Sequence, residues 1–122
     1  MLLDLDRITL EMVRGDTFKL PLPLNSGTRE NPSKYTLSEN DSLYIGIMKP
    51  GQSFEHAEVR CKLNNNCTKD IDGNPLLYLK PKYTCNLFPG KYYLTVKLES
   101  GEDVYTLVDH KIFFITGSNP CC

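Results

Sequence analysis

Apolar residues in this chain recur at every second position, and helical spacing is scarce. Ile8, Leu10 and Met12 alternate with Thr9 and Glu11, as a half-buried strand requires. After Arg14-Gly15-Asp16, the residues Phe18, Leu20, Leu22 and Leu24 resume the alternation, with Pro21 and Pro23 between them. Residues two apart in a strand point their N–H groups to the same side. One edge of this segment therefore lacks two donors while the other can still pair, which predicts an edge strand closed to further partners. Residues 25–41 are polar and read as a long surface loop. Leu43, Ile45 and Ile47 form the next apolar face, with Gly46 marking a candidate bend. Ala57, Val59, Cys61 and Leu63 alternate with Glu58, Arg60 and Lys62, the clearest two-faced strand in the chain. Residues 64–75 form a second loop, with Asp72-Gly73 as its turn pair.

Leu76–Lys80 predicts a short strand, and Tyr92, Leu94, Val96 and Leu98 give the inner face of a longer one. Ser100-Gly101-Glu102-Asp103 predicts a hairpin into Val104–Val108, followed by a last strand over Lys111–Thr116. About eight short strands separated by turn signals predict an all-β sandwich or small barrel, and the segment Leu87–Tyr92 favours an immunoglobulin-like antiparallel β-sandwich. A single domain over residues 1–116 with a tail at 117–122 is expected. Leu87-Phe88-Pro89-Gly90-Lys91-Tyr92 resembles the tyrosine corner of such sandwiches, in which a tyrosine at the start of a strand bonds back to nearby backbone. Pro89, Gly90 and Tyr92 are thus expected as structural turn residues, as are Arg14, Gly15 and Asp16 between the opening strands.

Composition narrows the function classes. The 122 residues are 40% hydrophobic and 24% charged, with a formal net charge of −1. A near-neutral balance argues against a broad phosphate-binding face, so no nucleic-acid partner is expected. The N-terminus lacks the basic region of a signal peptide, and no apolar stretch approaches the ~18 residues of a membrane span. Synthesis in a cytosol and no membrane partner are expected. The five cysteines are an odd count without a secretion signal and predict reduced thiols rather than a disulfide framework.

Candidate chemistry is sparse. A nucleophilic enzyme needs a base within reach of a nucleophile. His110 adjoins Asp109, yet neighbours on a strand face opposite ways, and His56 has no Gly-framed serine or cysteine beside it. A small hydrolase built on Cys85 or His56 ranks last. Cys61, Cys67 and His56 lack the tight pairs and the fourth ligand of structural zinc sites. Asp70, Asp72 and Asn74 have the opening spacing of a calcium loop, but Pro75 and Pro81 stand where glycine and glutamate belong. No catalytic residue, metal or cofactor is expected. Tyr44, Tyr78, Tyr93 and Tyr105 fall opposite the expected core and form a candidate contact surface for protein or sugar.

Three landmarks in order carry a family resemblance: Met12-Val13-Arg14-Gly15-Asp16-Thr17-Phe18; Tyr35-Thr36-Leu37 with Asp41 and Leu43–Met48; and Leu87–Tyr93 followed by Val104–Leu107 and Phe113–Ile115. From about residue 8 to residue 116, the chain resembles small immunoglobulin-like structural proteins of tailed phages and prophages. It is similar to the N-terminal domain of phage upper-baseplate proteins. One feature departs from that family: Lys82-Tyr83-Thr84-Cys85 lacks its acidic residue. The resemblance implies a non-catalytic virion component in the baseplate, tail, neck or head. It would dock onto other virion proteins or onto copies of itself. A carbohydrate- or host-surface-binding module is the alternative.

Overall fold

The computed structural model describes residues 2–28 and 30–117. Nine strands account for nearly half of it. In chain order they are β1 (Leu2–Leu3), β2 (Leu10–Val13), β3 (Phe18–Pro21), β4 (Leu24–Asn25), β5 (Asp41–Met48), β6 (Val59–Leu63), β7 (Leu76–Leu79), β8 (Gly90–Ser100) and β9 (Asp103–Thr116). A 3₁₀ turn at Phe54–His56 follows β5, and one helical turn, α1 (Pro81–Thr84), opens with proline at a position where a missing N–H costs nothing.

One layer is a five-stranded sheet in the order β2-β9-β8-β5-β6. The run β9-β8-β5-β6 is the order of strands G, F, C and C′ in variable-type immunoglobulin sheets. The second layer consists of two short antiparallel ladders, β1-β4 and β3-β7, which share the segment Phe18–Asn25. The architecture is an all-β, immunoglobulin-like sandwich. It is not wholly antiparallel: β2 runs parallel to β9, pairing Leu10 with Phe113 and Val13 with Thr116.

The core follows the alternation. Leu20, Leu22, Leu24, Leu77 and Leu79 from one layer meet Leu43, Ile45, Ile47, Leu94, Val96, Leu98, Phe113 and Ile115 from the other, all buried. Phe18 on β3 packs edge-on against Phe113 on β9, with ring centroids 5.3 Å apart, and so ties the layers together. The two prolines lie where their chemistry requires. Leu22 donates its N–H to the Pro75 carbonyl at 2.8 Å, so the even-numbered residues of this segment face β7. Pro21 and Pro23 face away, along a stretch that β1 no longer covers because its pairing ends at Leu3 with Leu24.

Several expectations are corrected. Val104–Val108 and Lys111–Thr116 are one 14-residue strand, because the register shifts between Leu94 and Val96 absorb Asp109 and His110 as a bulge, with His110 at φ 55. Phe18–Leu24 is split at Leu22-Pro23, and β1 was not expected. Ile8 lies outside β2 and is 43% exposed. Gly46 marks no bend. It lies within β5, where a β-carbon would stand 2.8 Å from the Phe54 ring. Cys61 and Cys67 are free, but Cys85 is disulfide-bonded, contrary to the expectation of reduced thiols throughout. Cys121, Cys122 and most of the expected tail lie outside the described residues.

Candidate functional site

The two turn motifs meet at one corner of the sandwich. Arg14-Gly15-Asp16 turns the chain from β2 into β3, closed by the Asp16 N–H donating to the Val13 carbonyl at 3.0 Å. Gly15 has φ 83, a conformation glycine adopts without strain. The turn is held from outside: the Gly15 N–H donates to the Thr84 hydroxyl at 3.0 Å, and the Arg14 guanidinium donates to the Leu87 carbonyl at 3.3 Å. Thr84 is the buried last residue of α1, and Leu87 leads into Pro89-Gly90. At the start of β8, buried Tyr92 donates its hydroxyl to the Phe88 carbonyl at 2.7 Å, the bond of a tyrosine corner. Arg14 is thus engaged within its own fold, and the geometry of the turn is that of a structural tie.

The middle landmark also closes on itself. Asp41 is buried at the start of β5. Its Oδ2 accepts the Ser38 N–H at 2.8 Å and a short hydrogen bond from the Tyr35 hydroxyl. Burial pushes the Asp41 carboxyl up; hydrogen bonding from the Ser100 side chain, from Ser38 and from Tyr35 outweighs it. The net result is a pKa below the usual carboxylate value. The hydrogen bond to Asp41, with burial, holds the Tyr35 hydroxyl above its ordinary value.

The four tyrosines do not share a surface. Tyr44 on β5 and Tyr93 on β8 lie on the outer face of the five-stranded sheet, half-buried beneath Lys62 and Lys91 respectively. Tyr78 lies on the outer face of the opposite layer, 38% exposed, under the Lys19 ammonium. Tyr105 pairs with buried Leu98 and so shares the inner face, at the hairpin end, where it is 45% exposed. A second register shift, between Val96 and Lys97, lets both Val108 and Tyr105 face inward and so reverses the expected orientation of Tyr105. Sequence reasoning passed over Ile112 and Phe114, which lie half-exposed on the outer side of β9. Their signal is the doublet Phe113-Phe114, of which a strand can bury only one member on a given face.

The remaining candidates behave as local structure. Asp70 Oδ1 accepts the N–H groups of Asp72 and Asn74, and Oδ2 accepts the Asn74 side-chain amide, which makes a turn of the Asx type. Hydrogen bonding from Asn74 holds the Asp70 carboxyl below its usual value. No group of three or more His, Cys, Asp or Glu side chains placed to hold a metal occurs among the described residues. His110 does contact Asp109, contrary to strand alternation, because the bulge turns the two side chains together. Its exposed ring otherwise stands against Tyr93, with centroids 5.7 Å apart. His56 lies exposed in the 3₁₀ turn. Burial pushes the Cys61 thiol up, which disfavours the nucleophilic thiolate.

Clefts open on the surface of the described residues. One of about 930 Å³ lies at one end between Leu2–Leu3, Pro23–Asn25, Lys34 and Asp72. Two smaller ones flank β6. A cleft of about 270 Å³ lies on its inner side, between Cys61 and Leu63 of β6 and Leu77 and Tyr78 of β7. Another of about 290 Å³ lies on its outer side, among Tyr44, Phe54, Arg60 and Lys62. No helix among the described residues is long and apolar enough to cross a membrane. No protein-family model, curated protein or solved structure matches the chain.

Proposed function

We propose that this protein is a non-catalytic structural component of a tailed-phage virion that works by docking onto other proteins of the particle. The observation that carries the proposal is the corner. The two motifs that bear most of the family resemblance, Met12–Phe18 and Leu87–Tyr93, are far apart in sequence yet bonded to one another through Arg14 with Leu87, and Gly15 of the first is held by Thr84 just ahead of the second. Motifs retained for a common architectural reason should meet in this way. The hydroxyl–carboxylate pair of the middle landmark, Tyr35 with Asp41, is likewise internal and structural. A sandwich whose singled-out residues serve its own frame has its outward faces and edges left for partners.

The proposal is tested on particles. Virions from cells encoding the chain, purified through a density gradient and digested for mass spectrometry, should contain it in a fixed multiple of the particle symmetry. Its absence from intact particles would overturn the assignment. The glycan-binding alternative gains no common platform from the tyrosines, which the two layers and the hairpin end hold apart.

A further inference from the structure

We propose that the free edge of β6 is a strand-addition site for an extended acidic segment of a partner protein. This deepens the docking reading above and rests on it only in taking the partner to be a protein.

The edge is open along its backbone. The Gly101 N–H donates to the Asn40 carbonyl, and Asn40 directly precedes β5, so the even-numbered residues of β5 face β8 and the odd-numbered ones face β6. The Ile47 carbonyl accordingly accepts from the β6 side, from the Glu58 N–H at 2.9 Å. In the observed register, Ile47, Ile45 and Leu43 pair with Val59, Cys61 and Leu63. The backbone N–H and C=O groups of Arg60 and Lys62 therefore point away from the sheet, and among the described residues β6 has no strand on that side. Unlike Phe18–Asn25, this edge carries no proline, and β6 itself has no break in register. It has the form that strand addition uses.

The side chains specify the partner. An added strand hydrogen-bonded to Arg60 and Lys62 would place its paired residues on the outer face beside those two cations. Lys97 lies in the same cross-sheet row as Tyr44 and Lys62, over the Phe54 ring at 4.7 Å. No carboxylate forms an ion pair with Arg60, Lys62 or Lys97 among the described residues, and the nearby Glu58 is paired with Lys49 at 3.0 Å. Acidic residues at alternate positions of the guest meet this row. The intervening guest side chains would turn inward to the cleft between β6 and β7, where Cys61, Leu63 and Leu77 offer apolar wall. A second copy of this chain is the wrong occupant: β6 against β6 would set Arg60 and Lys62 against their own like charges, and directly opposed like charges destabilise a ladder.

The probe is a short blocked peptide of alternating glutamate and valine, with a lysine–valine peptide as control, added to the isotope-labelled chain. The glutamate peptide should shift the Arg60 and Lys62 amide resonances and slow their hydrogen exchange. Combined R60E and K62E should weaken it by about tenfold and admit the lysine peptide. Lys62→Pro, which removes an outward N–H at an edge where proline fits, should abolish binding. Equal binding of the two peptides, unmoved Arg60 and Lys62 amides, or self-association through β6 would each overturn the proposal. A chain that enters particles but ignores the acidic peptide sinks the edge and keeps the virion reading. One that binds the peptide but is absent from particles does the reverse.

Discussion

Single hydroxyls and carboxylates do the locking in this fold. Tyr92 is buried with its hydroxyl on the Phe88 carbonyl, so Tyr92→Phe keeps the ring and deletes one bond. Urea unfolding should show a loss of about 1 kcal/mol with an unchanged m-value. Asp41 gives a sharper test because its charge can be titrated. Its folded pKa lies below the usual 3.8, so the stability it contributes is present above that pH and is lost as pH falls through the folded value. Tyr35 has the opposite sign: its folded pKa lies above the usual 10.0, so its contribution is present below that pH and fades as pH rises through the folded value. Asp41→Asn should cost about 1–3 kcal/mol at neutral pH. The gap from the parent should close as pH falls through the acid limb, read as denaturation midpoints over a pH series. A gap that stays constant with pH would show that the carboxylate charge contributes nothing there.

At the scale of elements, the visible parts of the sequence were those with local causes. Alternation located β5, β6, β7 and β8 because each buries one face, and Pro21 with Pro23 marked a bare edge because a missing N–H is a property of the residue itself. Effects that depend on a distant neighbour were hidden. The bulge at Asp109–His110 is a register slip against Thr95, whose hydroxyl accepts the His110 N–H at 3.1 Å, and nothing in the β9 sequence encodes that pairing. That slip brought His110 onto Asp109, and a second one, between Val96 and Lys97, turned Tyr105 to the inner face. Gly46 is the same kind of case. It looked like a strand defect and is instead the floor on which Phe54 lies, with Ala57 3.3 Å from where a β-carbon would be. Gly46→Ala should therefore expel the Phe54 ring and cost about 1–3 kcal/mol. In the G46A/F54A double variant most of that strain should vanish, so the two changes should be non-additive by more than about 0.5 kcal/mol in a double-mutant cycle. Additive effects would show that Gly46 is retained for some reason other than the ring. The free edge of β6 was also invisible in sequence, since Arg60 and Lys62 read only as a solvated face until the neighbours of β6 were known.

The whole molecule closes by joining its two ends. β2 lies parallel to β9 at the margin of the five-stranded sheet, matching Leu10 with Phe113 and Met12 with Ile115. This pairing spans most of the chain, whereas β8 and β9 are joined by a two-residue hairpin at Gly101-Glu102 and pair over almost their full lengths. Loop-closure entropy makes the end-to-end pairing the later event, because it must be met before any contact across it offsets it. Truncations in the two regions should then separate in kinetics. Leu98→Ala and Ile45→Val lie in the β5-β8 ladder and its hairpin side, and both side chains are fully or almost fully buried. They should slow refolding. Met12→Ala lies in the closing strand and should mainly speed unfolding, leaving the refolding limb close to that of the parent. Stopped-flow chevrons over a urea series read both limbs at once. A Met12→Ala refolding limb slowed as much as that of Leu98→Ala would place the end-to-end pairing inside the nucleus. Met12 lies two residues before Arg14 of the Arg14-Gly15-Asp16 turn, so a late-forming β2 also implies that the corner bonds from Gly15 and Arg14 form late. Gly15→Ala, strained at φ 83, should then share the kinetic signature of Met12→Ala, with its cost of about 1 kcal/mol or more expressed in the unfolding limb.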